Sequence, residues 1–147
     1  MNYSTYIDLA ISEAIIARDH NDIPVGAVII KDNKVISTGH NQCIQKKNAT
    51  LHAEMVAINN ACIAINNWRL DGCTLITTLE PCCMCTGAIL QSRIQKVVFT
   101  ALDDKAGCIL SQYTLLDDRL LNQIVEYEYI QDKRSVHILK DFFKDKR

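Results

Sequence analysis

Residues 73–89 read CTLITTLEPCCMCTGAI, and the way this stretch divides decides the fold. CTLITT is apolar and β-branched, as a buried strand requires, and Pro81 then opens a short helix at which Cys82, Cys83 and Cys85 crowd together. The same alternation extends outward on both sides. Upstream, Met55, Ile58, Cys62 and Ile65 recur at helical spacing from His52. Before them, VGAVII (25–30) and VISTG (35–39) flank KDNK, which reads as a hairpin turn, and Ile7, Ala10, Ile11, Ala14 and Ile15 mark a first helix. Downstream, KVVFTA (96–101) is a strand. IVEYEYI (124–130) puts Val125, Tyr127 and Tyr129 on one face of another, and Val136, Leu139 and Phe143 mark a last helix. Helices and strands that alternate with short connections predict a sheet covered by helices.

A chain of 147 residues, 48% hydrophobic and 22% charged, can bury a core of its own and is expected to form one domain over 1–147. Its first twenty residues carry Asp8 and Glu13 among spaced apolar positions, the pattern of an amphipathic helix rather than a signal peptide. No apolar run is long enough to cross a bilayer, so no membrane partner is expected. Seven cysteines, an odd number without the spacing of a disulfide framework, suit a reducing cytoplasm. The net charge of −1 is unevenly spread: residues 133–147 hold six Lys or Arg against two Asp, and the rest of the chain is acidic. A basic terminal helix is either a solvated face or a contact for an anionic partner.

A redox reading of Cys82-x-x-Cys85 would leave LHAEM (51–55) without a role. His52 and Glu54 stand at the start of one predicted helix and the cysteines at the start of another. Spacing of three puts Cys82 and Cys85 on one face of a first turn and turns Cys83 away. With His52 they form three ligands suited to zinc, leaving the fourth tetrahedral position open for water. An open position belongs to catalysis, and Glu54 beside it can take and pass on a proton.

His-x-Glu followed by Pro-Cys-x-x-Cys resembles the zinc nucleobase deaminases. PVGAVI, GHN, HAEM, WRLDGCTLITTLEPCCMCTGAI, SRI, DDKAG and the terminal LKDFFKDKR together resemble, more narrowly, the bacterial tRNA-specific adenosine deaminase family. This resemblance implies a three-layer α/β/α cytidine-deaminase-like fold with a central five-stranded mixed sheet. It also implies one Zn2+ per chain on His52, Cys82 and Cys85, Glu54 as proton shuttle, a homodimer, and a tRNA anticodon stem-loop as partner. Asn41, which by itself reads as a strand-end residue, would hydrogen-bond the flipped base, and the backbone of Ala53 would line the pocket. Asp103, Lys105 and Gly107 would approach the flanking nucleotides. Phe142, Phe143, Lys144 and Arg147 would stack on or pair with the RNA.

The chain departs from the family pattern at Cys83, at CILSQYTLLDD (108–118), which lacks a Gly-Ser turn, and at Gln123. Lys46 and Lys47 in the stretch after GHN are either exposed loop residues or phosphate contacts. A deaminase of free bases, nucleosides or nucleotides would share every residue of the metal site. A non-catalytic zinc module would have no use for Glu54 and would normally supply a fourth protein ligand.

Overall fold

The computed structural model describes residues 1–146; Arg147, one of the candidate RNA contacts, lies outside them. In chain order the elements are α1 (Ser4–Asp19), β1 (Gly26–Lys31), β2 (Lys34–His40), α2 (Ala53–Ile65), β3 (Thr74–Thr77), α3 (Cys83–Gln91), β4 (Lys96–Phe99), β5 (Glu126–Tyr129) and α4 (Lys133–Asp145), with a single 3-10 turn at Leu120–Asn122. The strands form one sheet in the order β2-β1-β3-β4-β5. β1 runs antiparallel to both β2 and β3, while β3, β4 and β5 are parallel, so the sheet is mixed.

Both faces of the sheet are covered, which is why β1 reads as a continuous apolar run rather than an alternating one. Ala27 and Ile29 join Leu75, Val97 and Phe99 in a core under α2 and α3. Val28 and Ile30 join Ile76 and Val98 in a second core against Ile7, Ala10 and Ile11 of α1, beside which α4 packs. The result is the three-layer α/β/α arrangement. The KDNK turn is confirmed in detail: Asp32 and Asn33 both take positive φ, 51° and 61°, the twist that a two-residue hairpin needs.

The helices come closer to the sheet than their large apolar residues would suggest. A Cβ on Gly39 would lie 2.6 Å from both Ala53 O and Ala57 N, so α2 rests its own backbone on β2. The face that meets the sheet is therefore Ala53, Ala57 and Ala61 together with Ile58. Met55, Cys62 and Ile65 of the expected stripe are only half-buried. Gly26 does the same for α1, against Ala10 O and Ala14 N. We expect Gly39→Ala to lower stability by about 3 kcal/mol, because the added methyl meets backbone that cannot rotate away, and urea unfolding of the zinc-loaded protein checks it. On α4 the expected positions are displaced by one: Ser135, Ile138 and Phe142 are buried, whereas Phe143 is 48% exposed.

The antiparallel β1 brings its first residue to the same sheet edge as the last residues of β2, β3 and β4. Gly26 N–H donates to Thr78 Oγ1 and Thr78 N–H to Gly26 O, both at 3.0 Å. The loops leaving that edge, 41–52, 78–82 and 100–111, surround one cavity, at the carboxyl ends of parallel strands where α/β folds place ligands.

Candidate active site

His52 and Cys82 are not inside their helices, as the sequence suggests, but are the N-cap residues of α2 and α3, both with extended backbone. Neither side chain caps its own helix, so both are free to turn outward toward each other. Cys85 follows on the first turn of α3, fully buried, and Cys83 is exposed on the other side. His52 Nδ1 stands 3.6 Å from Cys82 Sγ and 3.6 Å from Cys85 Sγ. The three ligand atoms lie within 4.8 Å of one another. With ordinary Zn–N and Zn–S lengths, an N–S edge of a tetrahedral zinc site is about 3.6 Å, so the spacing fits one zinc ion.

Charge leads to the same conclusion. Cys85 beside it, opposing its burial, and then His52 hold the Cys82 thiol as an anion, down to about 4. Cys82 and burial push the Cys85 thiol far up. Two sulfurs this close both ionise only around a cation, and two helix N-termini aimed at the point help to hold the anionic ligands. Bonding to Cys82 raises His52.

Glu54, on the first turn of α2, is 3% exposed and lines the cavity with His52 and Cys82. Burial raises its carboxyl to about 7, close to the value at which a group both takes and returns a proton at neutral pH. It thus lines the same cavity as two of the three candidate ligands.

Asn41, at the end of β2, lines the same cavity and uses Oδ1 to accept the Ala53 N–H at 2.7 Å. It thus supplies the cap that His52 withholds from α2, and its amide NH2 remains as a donor. The N–H of Ala53, expected to line the pocket, is thereby taken, and Ala53 is not among the residues that line the cavity.

The cavity measures about 560 Å3. Asn41, His52, Glu54 and Cys82 contribute one part of its lining; residues 102–106 contribute another, a wall to which Leu139 and Phe143 from α4 are added. Asp103 stiffens the wall by accepting the Lys105 and Ala106 N–H groups, each at 3.1 Å, which leaves Lys105 exposed at the mouth. Phe142, also expected to meet RNA, instead points into the helix packing, 8% exposed and edge-on to Phe143. Lys46 and Lys47 are exposed on the 42–50 turn and do not line the cavity.

Two buried carboxylates were not anticipated. Asp22, fully buried, accepts the N–H groups of Ile23, Ile44 and Gln45 and so fastens the 42–50 turn. Glu80, 1% exposed, accepts from the backbone of Asp103, Ile109, Leu110 and Ser111 and from the Ser111 hydroxyl. Burial alone would raise the Glu80 carboxyl, but these donors outweigh it and leave it below the usual carboxylate range. Each N–H left unpaired there would cost about 1–3 kcal/mol. The available signal was a charged residue closing a buried apolar strand, immediately before Pro-Cys.

Residues 1–101 match the model of the cytidine and deoxycytidylate deaminase zinc-binding region. A tRNA-specific adenosine deaminase of Aquifex aeolicus is 42% identical over 147 residues, covering 100% of this chain and 97% of that protein. A solved structure from studies of A-to-I editing by tRNA:A34 deaminases at the wobble position of transfer RNA superposes with a TM-score of 0.89 at 32% identity, covering 92% of this chain and 99% of the other. A guanine deaminase of Bacillus subtilis is 38% identical with a TM-score of 0.66, over 69% of this chain and 66% of that one. The ligand geometry, the buried glutamate and likeness along the whole length agree: the chain belongs to the cytidine and deoxycytidylate deaminase family and, within it, to the group of the tRNA-specific adenosine deaminases.

Proposed function

We propose that this protein hydrolyses adenosine to inosine, with release of ammonia, at the wobble position of a tRNA anticodon. The observation that carries this reading is that 42% identity to a protein named for tRNA runs through the whole chain, cavity wall included, whereas a guanine deaminase of Bacillus subtilis keeps 38% identity over only 69% of it and one of Nitrosomonas europaea that covers 92% is 18% identical.

His52, Cys82 and Cys85 would hold one zinc ion, which supplies Lewis-acid activation of water. Glu54 removes a proton from the water that adds to C6 of the purine and delivers it to the neighbouring ring nitrogen. Glu54 then takes the remaining proton of the added hydroxyl and passes it to the amino group, so that the C6 carbonyl forms as the C–N bond breaks, ammonia leaves and the carboxylate is restored. Asn41 donates from its free NH2 to an acceptor on the base. The base must leave its stack to reach these groups, so much of the binding energy has to come from the nucleotides on either side. Lys105 and Phe143 at the mouth are placed for that contact, by charge and by stacking.

A single domain over 1–147 fits this reading, which is supported by a cavity lined both by residues of 41–82 and by residues of 102–143. No described helix is long and apolar enough to cross a membrane; the proposed tRNA substrate supports a cytoplasmic location. Ile63 in the last turn of α2, 79% exposed, and Trp68 just beyond it, 60% exposed, leave apolar surface that a second copy would cover in a homodimer; sedimentation in solution tests this.

Deamination of a free base or nucleoside is the second reading, favoured by the guanine deaminase likeness. Incubation with an adenosine-containing anticodon stem-loop and, separately, with guanine, cytidine and adenosine, followed by detection of inosine or the corresponding product, decides between them. Turnover of the stem-loop with little turnover of free adenosine is the expected result. Efficient deamination of guanine or cytidine alone would overturn the reading.

Removing residues 143–147 is expected to weaken stem-loop turnover roughly tenfold, equivalent to about 1.4 kcal/mol, with zinc content unchanged. The deletion spares the buried Phe142 and takes Phe143 and the last basic residues. Activity of the intact protein should also fall with salt more steeply than that of the truncated one, since phosphate contacts release counterions. Rate measurements at low and moderate salt check both statements.

A further inference from the structure

The Glu80 carboxylate has no charge to spare for a substrate. Oε2 accepts three consecutive backbone N–H groups, Ile109 at 3.1 Å, Leu110 at 2.8 Å and Ser111 at 2.9 Å. Oε1 accepts the Asp103 N–H at 3.1 Å and the Ser111 hydroxyl. Consecutive N–H groups that converge in this way form a concave nest for an anion, here filled from within the chain. Gly107 lies so close over the carboxylate that any Cβ would overlap it. The backbone on either side is tied to the same place: Glu80 N–H donates to Ala101 O at 2.8 Å, and Cys108 N–H donates to Pro81 O at 2.9 Å.

Between these ties lie residues 102–106, the wall of the same cavity that Glu54 lines, and none of them belongs to the metal site. We propose that Glu80 is a positioning residue for the RNA substrate: it gathers residues 103 and 109–111 onto one buried anion, and so sets the distance between the wall that meets the flanking nucleotides and the turn that carries Cys82. The proposal rests on the tRNA reading above for the identity of the substrate, and on the geometry of the loop for everything else.

Glu80→Gln keeps the shape of the side chain but removes its charge and turns an NH2 toward groups that are themselves donors. In the zinc-loaded protein, the KM for an adenosine-containing stem-loop should rise at least roughly tenfold while kcat stays within about threefold and one zinc per chain is kept. Amide hydrogen exchange at 109–111 should speed up by at least roughly tenfold while exchange in α3 does not change. Ser111→Ala, which removes only the hydroxyl, should move KM and exchange the same way by about threefold, and carries the test if Glu80→Gln does not fold. Faster exchange with an unchanged KM overturns the proposal, as do a fall in kcat with KM unchanged or a loss of zinc, each of which would place the effect in the metal turn. A wild-type protein that deaminates guanine or cytidine but not the stem-loop defeats the tRNA reading alone; the same split of KM against kcat, measured on that smaller substrate, then decides for or against Glu80.

Discussion

Glu54→Ala should keep the fold and the metal yet lose about 10^2–10^4-fold in turnover, since that is what a positioned acid–base group supplies. The side chain is not among the three ligand atoms, so zinc content by mass spectrometry should remain at one per chain. It is nonetheless 3% exposed on the first turn of α2, where no other described carboxylate or histidine except His52 and Glu80 lines the cavity on that side. His52 is occupied by the two sulfurs and Glu80 by the loop, so neither can replace it. Burial holds the carboxyl near 7, and alanine removes that proton relay without leaving an unpaired charge behind. Single-turnover formation of inosine from the stem-loop is the measurement. Activity near that of the wild type would mean that Glu54 is only a buried side chain and would revive the non-catalytic zinc module.

Cys82→Ser and Cys85→Ser should each lose most of the zinc and all measurable activity, while Cys83→Ser retains both. A hydroxyl is a poor soft ligand and does not ionise at neutral pH, whereas Cys82 is held as a thiolate already by its neighbours. Cys83 is exposed on the same helix start and points away from His52. The measurement is metal per chain after dialysis against a weak chelator, with circular dichroism to show that the helices persist. Zinc loss in the Cys83 variant, or retention in either of the others, would overturn the ligand assignment.

The strands and the metal site were legible because each depends on neighbours in sequence. Cys82 and Cys85 share a face by helical spacing, and Asp32-Asn33 specifies its turn by backbone preference alone. The faces of α2 and α4 were less legible. Hydrophobic periodicity selects large side chains, but on α2 the sheet is met by alanines, because Gly39 lets the backbone approach and leaves no room for anything larger. On α4 the inward face includes Ser135, polar yet buried, because its hydroxyl bonds to Thr100 and Asp132. Glu80 was illegible for a different reason: its five donors lie 23 to 31 residues away, and only the folded loop brings them together. The placement of His52 one position outside α2 goes with Asn41, which follows β2 and takes over the cap of that helix from far along the chain.

The separation of the cavity into a reacting part from residues 41–82 and a wall from residues 102–143 has a consequence for how such a protein can change over generations. With the wall meeting the substrate as proposed, substitutions there would alter which molecule is admitted while the metal ligands and Glu54 stay intact, so new substrates could be explored without passing through an inactive ancestor. Glu80 limits that freedom, because a wall that no longer satisfies its carboxylate would strand a buried charge two residues from Cys82. Drift in the wall is therefore expected to preserve a small residue at 107 and free N–H groups at 109–111, and to range widely at 104, 105 and 143.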